Sequence, residues 1–396
     1  MSHPLISRDP HLQQLVNEGY SLELRSNHLL VHDVPFVNSA RQVFEDGVLV
    51  MPLAGESSTI PPNHTAHFIG AHPCSMDGAE LVQIKNESRK QSLAPGLEVD
   101  HLFSAKPRDN NGKYPNFHAK VTLYVQIISG PAQALRPGVT AQRFRPIASV
   151  DEDSVFLYMD TASTRAGILA ASKRFHGLKI AIVGLGGTGA YVLDMVAKTP
   201  VAEIHLFDGD ICHQHNAFRV PGAMSLDELK AARKKVDHLQ SVYSKMRRGV
   251  VPHPEMITPD NVRHLRDFDH VFLCVDKGSV RQWVVGALRG SRTTLFDTGM
   301  GVHIDEETQK VYGICRVSVL AEQRHAHAER CIPMVDQEDI GIYRNNVQIA
   351  DLNALNATFA VVRWKKACGF YASNGCEYDM AYTIETNIMT CGEVVL

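Results

Sequence analysis

The stretch KIAIVGLGGTGAYVLDMVAK, residues 179–198, constrains the fold of this chain more than any other part of it. Residues 179–183 are typical of a buried strand, and residues 188–198 have the apolar spacing of a helix. Between the two lie glycines at positions that open a helix, namely Gly184, Gly186, Gly187 and Gly189. Such glycines let the backbone turn tightly and approach a phosphate at the helix N-terminus, where N–H groups are unpaired. The stretch therefore predicts a strand–turn–helix unit that binds a nucleotide.

A segment rich in proline and glycine, residues 130–153, separates two parts of different character. Before it, short alternating apolar runs predict a smaller α+β domain over residues 1–150. After it, strand-like runs alternate with helical patterns, which predicts a Rossmann-like, doubly wound α/β domain over residues 155–396, with a parallel sheet covered by helices. Its expected strands are 179–183, 203–207, 270–275 and 293–296, and its expected helices are 188–198, 225–246, 279–288 and 347–366.

The overall charge of the chain excludes some classes of partner. The 396 residues include 40 basic and 43 acidic side chains, with a formal net charge of −3. This balance does not favour binding to nucleic acid or to an acidic membrane through bulk charge. No apolar run approaches the roughly 18 residues of a membrane span, and the first ten residues lack the order of a signal peptide. We therefore expect a cytoplasmic protein that binds neither nucleic acid nor membrane.

Polar residues follow the second expected strand of the larger domain. Asp208 and Asp210 end this strand in HLFDGD, and Asn216 and Arg219 follow in the same short segment. Asp208 is placed to accept hydrogen bonds from ribose hydroxyls. A nicotinamide cofactor has no γ-phosphate and needs no Arg, Asn and Lys beyond its pyrophosphate, whereas a triphosphate under attack does. The segment therefore favours a nucleoside triphosphate.

Two further charged elements are expected at the same edge of the sheet. A basic helix after Arg219 carries Lys230, Lys234 and Lys235. Asp276 follows the strand of residues 270–275, at the carboxyl edge where ligands of such folds bind. A carboxylate there is suited to holding Mg²⁺ on phosphates. The alternative role for Asp276 is to cap the helix that begins at Ser279.

Together these residues resemble the ThiF/MoeB/ubiquitin-activating enzyme superfamily, whose pattern is a G-x-G-G-x-G loop, D-x-D, N-x-x-R, a helical Lys and a later Asp. The matching residues here are Gly184, Gly186, Gly187, Gly189, Asp208, Asp210, Asn216, Arg219 and Asp276. For the Lys, Lys235 fits best, with Lys230 and Lys234 close to it. Family members often supply an Arg from a short N-terminal element, and Arg165 in DTASTRAGI resembles it. The Gln that usually follows the N-x-x-R element is Val220 here.

The resemblance covers about residues 160–396 and implies a ThiF-type adenylation domain that uses ATP and Mg²⁺. Its implied reaction is activation of the C-terminal carboxylate of a ubiquitin-like or sulfur-carrier protein. Arg219, Lys235 and Arg165 would supply the cations, and Asp276 the metal ligand. The glycines, Asp208, Asp210 and Asn216 would bind the nucleotide. The family also implies a homodimer and a place in a bacterial conjugation system, with a conjugating enzyme as a further partner.

Transfer of the acyl group to a cysteine follows adenylation in the ubiquitin-activating members. Cys331 in AERCIPMVD is the favoured candidate, because Arg330 and His327 are expected to stabilise a thiolate there. Cys391 is a weaker alternative.

Residues 1–150 resemble an uncharacterised domain fused in front of ThiF-like bacterial proteins, through the segments HTAHFIGAHPCSMDG and DHLFSAKP. These segments contain His64, His67, Cys74, Asp100 and His101. One interpretation makes Cys74 a thioester cysteine like that of a conjugating enzyme. The favoured interpretation is an interaction domain that docks the protein substrate.

Two other functions stay open at this point. A Rossmann oxidoreductase that uses NAD(P) or FAD would leave Arg219 and Lys235 unexplained. A nucleotide-binding scaffold without turnover would retain the fold but not need Asp276. The joint set of glycines, carboxylates and cations favours an activating enzyme over both.

Overall fold

The computed structural model describes residues 5–6, 9–55, 60–107, 110–145, 154–322, 325, 327–336, 348–373 and 378–392. The chain divides into two compact units, residues 1–152 with 158–169, and residues 153–157 with 170–396. Each unit has its own buried apolar core. Within the described ranges, none of the helices combines the length and the apolar character needed to cross a membrane.

The first unit is an antiparallel sheet with a long helix on one face. Its elements are α1 (Pro10–Asn17), β1 (Ser21–Arg25), β2 (His28–Val37), β3 (Val43–Pro52), β4 (Thr65–Ile69), β5 (Lys85–Ala94), β6 (Leu97–Ser104), α2 (Phe117–Leu135) and α3 (Thr161–Arg165). The strand order is β1-β2-β3-β4-β6-β5. Asn116 caps α2 by accepting the Ala119 N–H at 2.8 Å, and the apolar side of α2 covers the sheet through Phe117 and Tyr124. This arrangement is the expected α+β domain.

The second unit is built around one large mixed sheet. Its elements are α4 (Leu169–Ser172, at the division between the units), β7 (Lys179–Val183), α5 (Gly187–Ala197), β8 (Glu203–Phe207), α6 (Gln214–Ala217), α7 (Leu226–Lys230), α8 (Lys235–Tyr243), β9 (Val250–His253), β10 (His270–Leu273), α9 (Gly278–Leu288), β11 (Thr294–Ile304), β12 (Val311–Leu320), α10 (Ala328–Cys331), α11 (Ala350–Ala367), β13 (Asp379–Thr383) and β14 (Ile388–Gly392). The strand order is β14-β13-β12-β11-β10-β7-β8-β9.

Helices cover both faces of this sheet. On one face, α5, α8 and α11 pack through residues such as Leu193, Leu239 and Trp364. On the other face, α9 packs through Val284 and Leu288. The strands from β11 to β9 in the sheet order are parallel to one another, and the central strands β7 and β10 are buried along most of their length. The predicted fold class, a doubly wound α/β domain preceded by a smaller α+β domain, is confirmed.

The sequence did not predict the antiparallel part of the sheet. β11 extends to Ile304 instead of ending at Phe296, because it pairs with β12 from Leu295 opposite Leu320 to Ile304 opposite Val311. β13 and β14 continue the antiparallel pairing beyond β12. The segment DTGMGVHI contains glycines and polar residues, so its apolar pattern does not predict a strand. It forms one because it pairs along its length with β12, its partner in a long hairpin.

The single helix expected over residues 225–246 is also wrong. The chain forms α7 and α8 instead, and Ala232 between them has a left-handed φ of +47°. A β-bridge joins Ile211 to Lys234 at this break. After this break α8 begins at Lys235, whose N–H donates to Asp210 O at 3.0 Å, in the segment after β8.

Candidate functional site

The carboxyl ends of β7 and β10 define the candidate site. The chain runs from β7 to β8 and β9 on one side and then returns to β10 on the other side of β7. Such a switch in strand order opens a crevice where doubly wound folds bind ligands. Gly184 begins the loop after β7 with a φ of +86°, and a Cβ there would lie 2.7 Å from Cys274 O. The loops after β7 and β10 are therefore in direct contact.

Two other glycines of this loop are required by packing within the protein. A Cβ at Gly189 would lie 1.9 Å from Gly184 O, so no residue larger than glycine fits at position 189. A Cβ at Gly187 would lie 2.1 Å from Asn353 Nδ2, on α11. These positions are explained by the close approach of backbone and helix, whether or not a ligand is bound.

Gly186 differs from its neighbours. Among the described residues, a Cβ there would meet only Gln348 Oε1, at 3.8 Å, and the φ of −68° is accessible to any residue. Gly186 is the N-cap residue of α5, and it has no side chain that could accept a hydrogen bond from the first N–H groups of the helix. These N–H groups therefore face the space beside Gly186. This is the open side of the loop, where a phosphate would approach.

Asp208 connects the glycine loop to the segment after β8. Its Oδ2 accepts the Leu185 N–H at 2.7 Å, and its Oδ1 accepts the Asp210 N–H at 2.9 Å. The residue is 6% exposed. Both oxygens also lie 3.4 Å from Lys235 Nζ, and these two long contacts are the ones that a ribose hydroxyl could replace.

The structure distinguishes the lysines. Lys235 Nζ lies 2.7 Å from Asp210 Oδ2 and 3.4 Å from Asp208 Oδ1, and the residue is 7% exposed. Lys234 Nζ donates to Gly209 O. Lys230 is exposed, 3.9 Å from Asp227. Lys235 is thus the lysine that meets the D-x-D carboxylates.

Asn216 and Arg219 carry buried hydrogen-bond donors. Asn216 is 2% exposed, and its Oδ1 accepts the His213 N–H at 2.8 Å, which closes the start of α6. Its Nδ2 and the Nε of Arg219 are buried, and neither has a hydrogen-bond partner within the part of the chain that the structure describes. Burial lowers the pKa of the Arg219 guanidinium, and the negative charge of Asp276 acts against this shift. Asp276 is therefore near enough to Arg219 for the two charges to attract each other.

Asp276 lies on the loop between β10 and α9 and is exposed to solvent. The N-cap position of α9 is Lys277, and the carboxylate that accepts the Ser279 N–H is that of Asp336, at 3.2 Å. Asp276 thus lies one residue before the N-cap position of α9, and its role stays a prediction.

Cys331 does not have the environment that the sequence predicted. Burial and the Asp379 carboxylate, which accepts a hydrogen bond from the thiol, raise the pKa of Cys331, and they outweigh the cations Arg330 and Arg316. His327 is buried, with Nε2 3.0 Å from Val319 O, so it serves the packing of this segment. The expected stabilisation of a thiolate at Cys331 is wrong. Cys391 is exposed on β14.

Cys74 in the first unit is also poorly suited to nucleophilic attack. It is 1% exposed, its Sγ donates to His72 O at 3.3 Å, and burial, Glu80 and Asp77 raise its pKa. Asp100, from the second motif, has a structural role, because its Oδ2 accepts the Gly70 N–H at 2.9 Å.

Of the histidines in the same motifs, His101 has a side-chain partner and His64 a backbone partner, whereas His67 Nδ1 is buried with no hydrogen-bond partner among the described residues. His101 Nε2 lies 3.1 Å from Gly70 O, and His64 O accepts the Tyr124 hydroxyl at 2.5 Å. Burial lowers the pKa of His67. Over the described residues, no hydrogen bond joins Cys74 to His64, His67, Asp100 or His101.

Arg165 is the last residue of α3 and belongs to the first unit. Its role stays a prediction. Sequence reasoning did not single out Arg281, which lies 8% exposed on α9. The available signal was a charged residue in the apolar stripe formed by Arg281, Val284, Val285 and Leu288.

Comparison with protein families identifies the two parts of the chain. Residues 162–357 match the ThiF family, and residues 10–161 match a domain of unknown function, DUF6791. Residues 162–357 of this protein are therefore a ThiF family domain.

Two curated relatives are similar to parts of the chain. Ubiquitin-like modifier-activating enzyme 5 from Aedes aegypti is 23% identical over 125 residues, 31% of this chain and 29% of that protein. Ubiquitin-like modifier-activating enzyme 5 from Caenorhabditis elegans is 31% identical over 81 residues, 20% of this chain and 19% of that protein. The chain thus spans less than a third of the length of these relatives.

Several solved structures are also similar. E. coli MccB with ATP is 14% identical, with a TM-score of 0.44, over 59% of this chain and 69% of that chain. E. coli MccB with selenomethionine MccA has a TM-score of 0.46 at 14% identity over the same shares. Selenomethionine PaaA has a TM-score of 0.44 at 15% identity, over 57% of this chain and 75% of that chain.

Proposed function

We propose that this protein activates the C-terminal carboxylate of a ubiquitin-like or sulfur-carrier protein by ATP-dependent adenylation. The observation that carries the proposal is the pair of buried donors Asn216 Nδ2 and Arg219 Nε, which have no partner in the described part of the chain. A buried donor without a partner costs about 1–3 kcal/mol. Phosphate oxygens bound beside them would satisfy both donors, and the exposed start of α5 at Gly186 would bind the same phosphates.

The reaction uses the residues of the crevice in different ways. The substrate carboxylate attacks the α-phosphorus of ATP, a new C–O–P linkage forms, and the bond to the β-phosphate oxygen breaks to release pyrophosphate. Arg219 would stabilise the charge that builds up on the phosphate oxygens, an effect of about 3–4 kcal/mol for a well-placed donor. No general base is required, because the attacking carboxylate is already ionised at neutral pH.

The residues on the other side of the site would hold the nucleoside. Asp208 would accept hydrogen bonds from the ribose in place of its long 3.4 Å contacts to Lys235 Nζ, while the backbone N–H groups keep its oxygens fixed. Asp210 is more exposed and would extend this acceptor surface. Lys235 forms ion pairs with both carboxylates and would add positive charge beside the phosphates.

The proposed site would hold a divalent cation through one protein carboxylate together with the phosphates of the nucleotide. Within the described residues, no group of three or more His, Cys, Asp or Glu side chains is arranged to hold a metal ion. Mg²⁺ in phosphate-transfer sites is usually held by one or two carboxylates together with substrate phosphates. Asp276 would be its protein ligand here. When bound, Mg²⁺ would neutralise charge on the phosphates.

The comparisons support the substrate class. A ThiF family domain and two relatives named as ubiquitin-like modifier-activating enzymes favour a protein substrate with a reactive C-terminus over the substrate of an oxidoreductase. The proposal ends at the acyl adenylate, because burial and Asp379 raise the pKa of the Cys331 thiol.

The proposal includes a homodimer in which Arg165 contributes to the site. Replacement of Arg165 by Ala should then slow adenylation while the protein stays folded. The mass in solution, measured by light scattering, should be that of two chains. A monomeric mass would remove the dimer and any role of Arg165 across subunits.

Isotope exchange between pyrophosphate and ATP tests the reaction directly. The full-length protein would be assayed with Mg²⁺ and a panel of ubiquitin-like and sulfur-carrier proteins that end in Gly. We expect exchange that depends on one partner and falls by at least about 100-fold in Asp276→Ala and Arg219→Gln, as when other transition-state charges are left unpaired. The matched controls Asp227→Ala and Arg233→Gln change exposed residues and should keep the wild-type rate.

Two outcomes contradict the proposal. Tight ATP binding without exchange for any partner would favour a nucleotide-binding scaffold. Release of a nicotinamide or flavin from the denatured pure protein would favour an oxidoreductase.

A further inference from the structure

Arg281 is a charged residue in an unfavourable place. It lies in the first turns of α9, in the stripe of residues that faces the core, and it is 8% exposed. A cation near a helix N-terminus is repelled by the helix dipole, and a buried guanidinium loses its hydration. The structure must therefore supply strong compensating contacts to Arg281.

Those contacts are made to the loop that carries Asp276. Arg281 Nη2 donates to Val275 O at 2.7 Å, and Nη1 donates to Asp276 O at 3.4 Å. Nη2 also donates to Thr298 O at 3.2 Å. The guanidinium is planar, so its nitrogens hold the two successive carbonyls of the loop in one fixed geometry.

The guanidinium is in turn held by Asp297, near the start of β11. Arg281 Nε lies 3.2 Å from Asp297 Oδ1, and Asp297 is completely buried. The other oxygen of this carboxylate, Oδ2, lies 2.5 Å from Arg316 Nη2. One buried carboxylate therefore fixes two guanidinium groups, of which only Arg281 is bonded to the loop after β10.

The loop held by Arg281 also touches the glycine loop. Cys274 N donates to Val183 O at 2.8 Å, and the space beside Cys274 O admits only a glycine at position 184. A shift of Val275 and Asp276 would therefore change the distance between the Asp276 carboxylate and the start of α5.

We propose that Arg281 is a positioning residue, which fixes the backbone of Val275 and Asp276 so that the Asp276 carboxylate meets the metal–nucleotide complex at the glycine loop. The inference rests on the proposed function, since it assigns Arg281 a role in the same site. Arg281 does not touch the nucleotide. It acts through Asp276, and Asp297 holds it in place.

Binding of ATP with and without Mg²⁺ separates this role from a purely structural one. The full-length protein would be titrated with ATP by calorimetry, once in EDTA and once in excess Mg²⁺. In the wild type we expect a gain in ATP affinity when Mg²⁺ is present. Arg281→Lys keeps the charge but not the planar fork, and it should reduce this gain by about 10- to 100-fold, the usual cost of losing a residue that orients a metal ligand. Affinity in EDTA should change less than about twofold, because the phosphate donors stay in place.

Three further variants make the test specific. Arg316→Lys alters the other cation on Asp297 without touching the loop, and it should keep the gain from Mg²⁺. Asp297→Asn should reduce the gain as Arg281→Lys does, which gives a second measurement if the lysine variant folds poorly. Arg281→Lys combined with Asp276→Asn should bind no worse than Asp276→Asn alone, since Arg281 acts through that carboxylate.

The outcomes for the inference and for the proposed function are distinct. A wild-type protein whose ATP affinity does not respond to Mg²⁺ would overturn the proposed metal–ATP site itself. A normal response in the wild type that persists in Arg281→Lys would overturn only the positioning role. Additive losses in the double variant would also overturn it, because they would show that Arg281 acts independently of Asp276.

Discussion

The ammonium group of Lys235 lies 2.7 Å from a carboxylate oxygen of Asp210. The same group lies 3.4 Å from Asp208, and Lys235 is 7% exposed. It therefore neutralises a buried carboxylate in addition to its expected role beside phosphates.

Replacement of Lys235 by Met should lower both stability and ATP affinity. Asp208 would lose its cation in a buried position, and we expect a loss of about 1–3 kcal/mol in the free energy of unfolding. Both tryptophans of the chain, Trp283 and Trp364, lie in the second unit, so fluorescence during urea unfolding reports on that unit. Lys230→Met, on the surface, is the control and should keep both properties. Equal stability of the two variants would contradict the structural role of Lys235.

The glycines of the loop after β7 should respond differently to replacement by alanine. Gly189→Ala places a Cβ 1.9 Å from Gly184 O and should destabilise the second unit or prevent its folding. Within the described part of the chain, the Cβ of Gly186→Ala meets only Gln348 Oε1, at 3.8 Å, so this variant should fold normally. It should weaken ATP binding by at least about tenfold, because the added methyl group occupies the space of the phosphates. Urea unfolding and ATP titration measure the two effects, and wild-type ATP affinity in Gly186→Ala would show that the phosphates do not approach there.

His270 should make the second unit less stable in mild acid. Burial against residues such as Phe296 and Trp364 lowers the pKa of His270 from 6.5 to about 4. Between these pH values the unfolded chain binds a proton that the folded chain does not. The free energy of unfolding should therefore be unaffected by this group above pH 6.5 and should fall as the pH decreases toward 4, by up to about 3 kcal/mol.

Urea unfolding at pH 7.5 and at pH 5 measures this loss. His270→Phe removes the titrating group and should lose less stability between the two pH values than the wild type. His264→Phe changes an exposed histidine and serves as the control, with the loss of the wild type. A loss in His270→Phe as large as in the wild type would assign the acid sensitivity to other groups.

The cysteines should differ strongly in reactivity toward iodoacetamide at pH 7. Among the cysteines that the structure describes, Cys391 is exposed and should be alkylated first. Cys74 is 1% exposed with a raised pKa, and it should react at least about tenfold more slowly, since only an accessible thiolate is nucleophilic. Mass mapping after timed quenching measures the rates, and unfolding in urea should make them similar. Rapid labelling of Cys74 in the folded protein would restore it as a thioester candidate.

The local pattern of the sequence was sufficient for the central elements. β7 and β8 have the predicted bounds, and α5 and α9 begin within a residue of the predicted positions, because a buried parallel strand and the helix that follows it are coded by adjacent residues. The same local coding placed Asp208 and Asp276 after their strands. The ThiF resemblance followed from this spacing and is confirmed over residues 162–357.

Long-range contacts decided the rest. The antiparallel strands β12 to β14 and the break before Lys235 depend on partners distant in the chain, which no local pattern contains. The pKa values of Cys331 and Cys74 depend on burial and on nearby carboxylates. The residues next to Cys331 in sequence predicted a lowered pKa for its thiol, whereas the folded environment raises it. Arg281 reaches the Asp276 loop and Asp297 only in the folded chain. The sequence by itself determined which groups stand at the strand ends, and the tertiary structure alone decided which of them are buried, paired and held in place, because those properties arise from packing between distant segments.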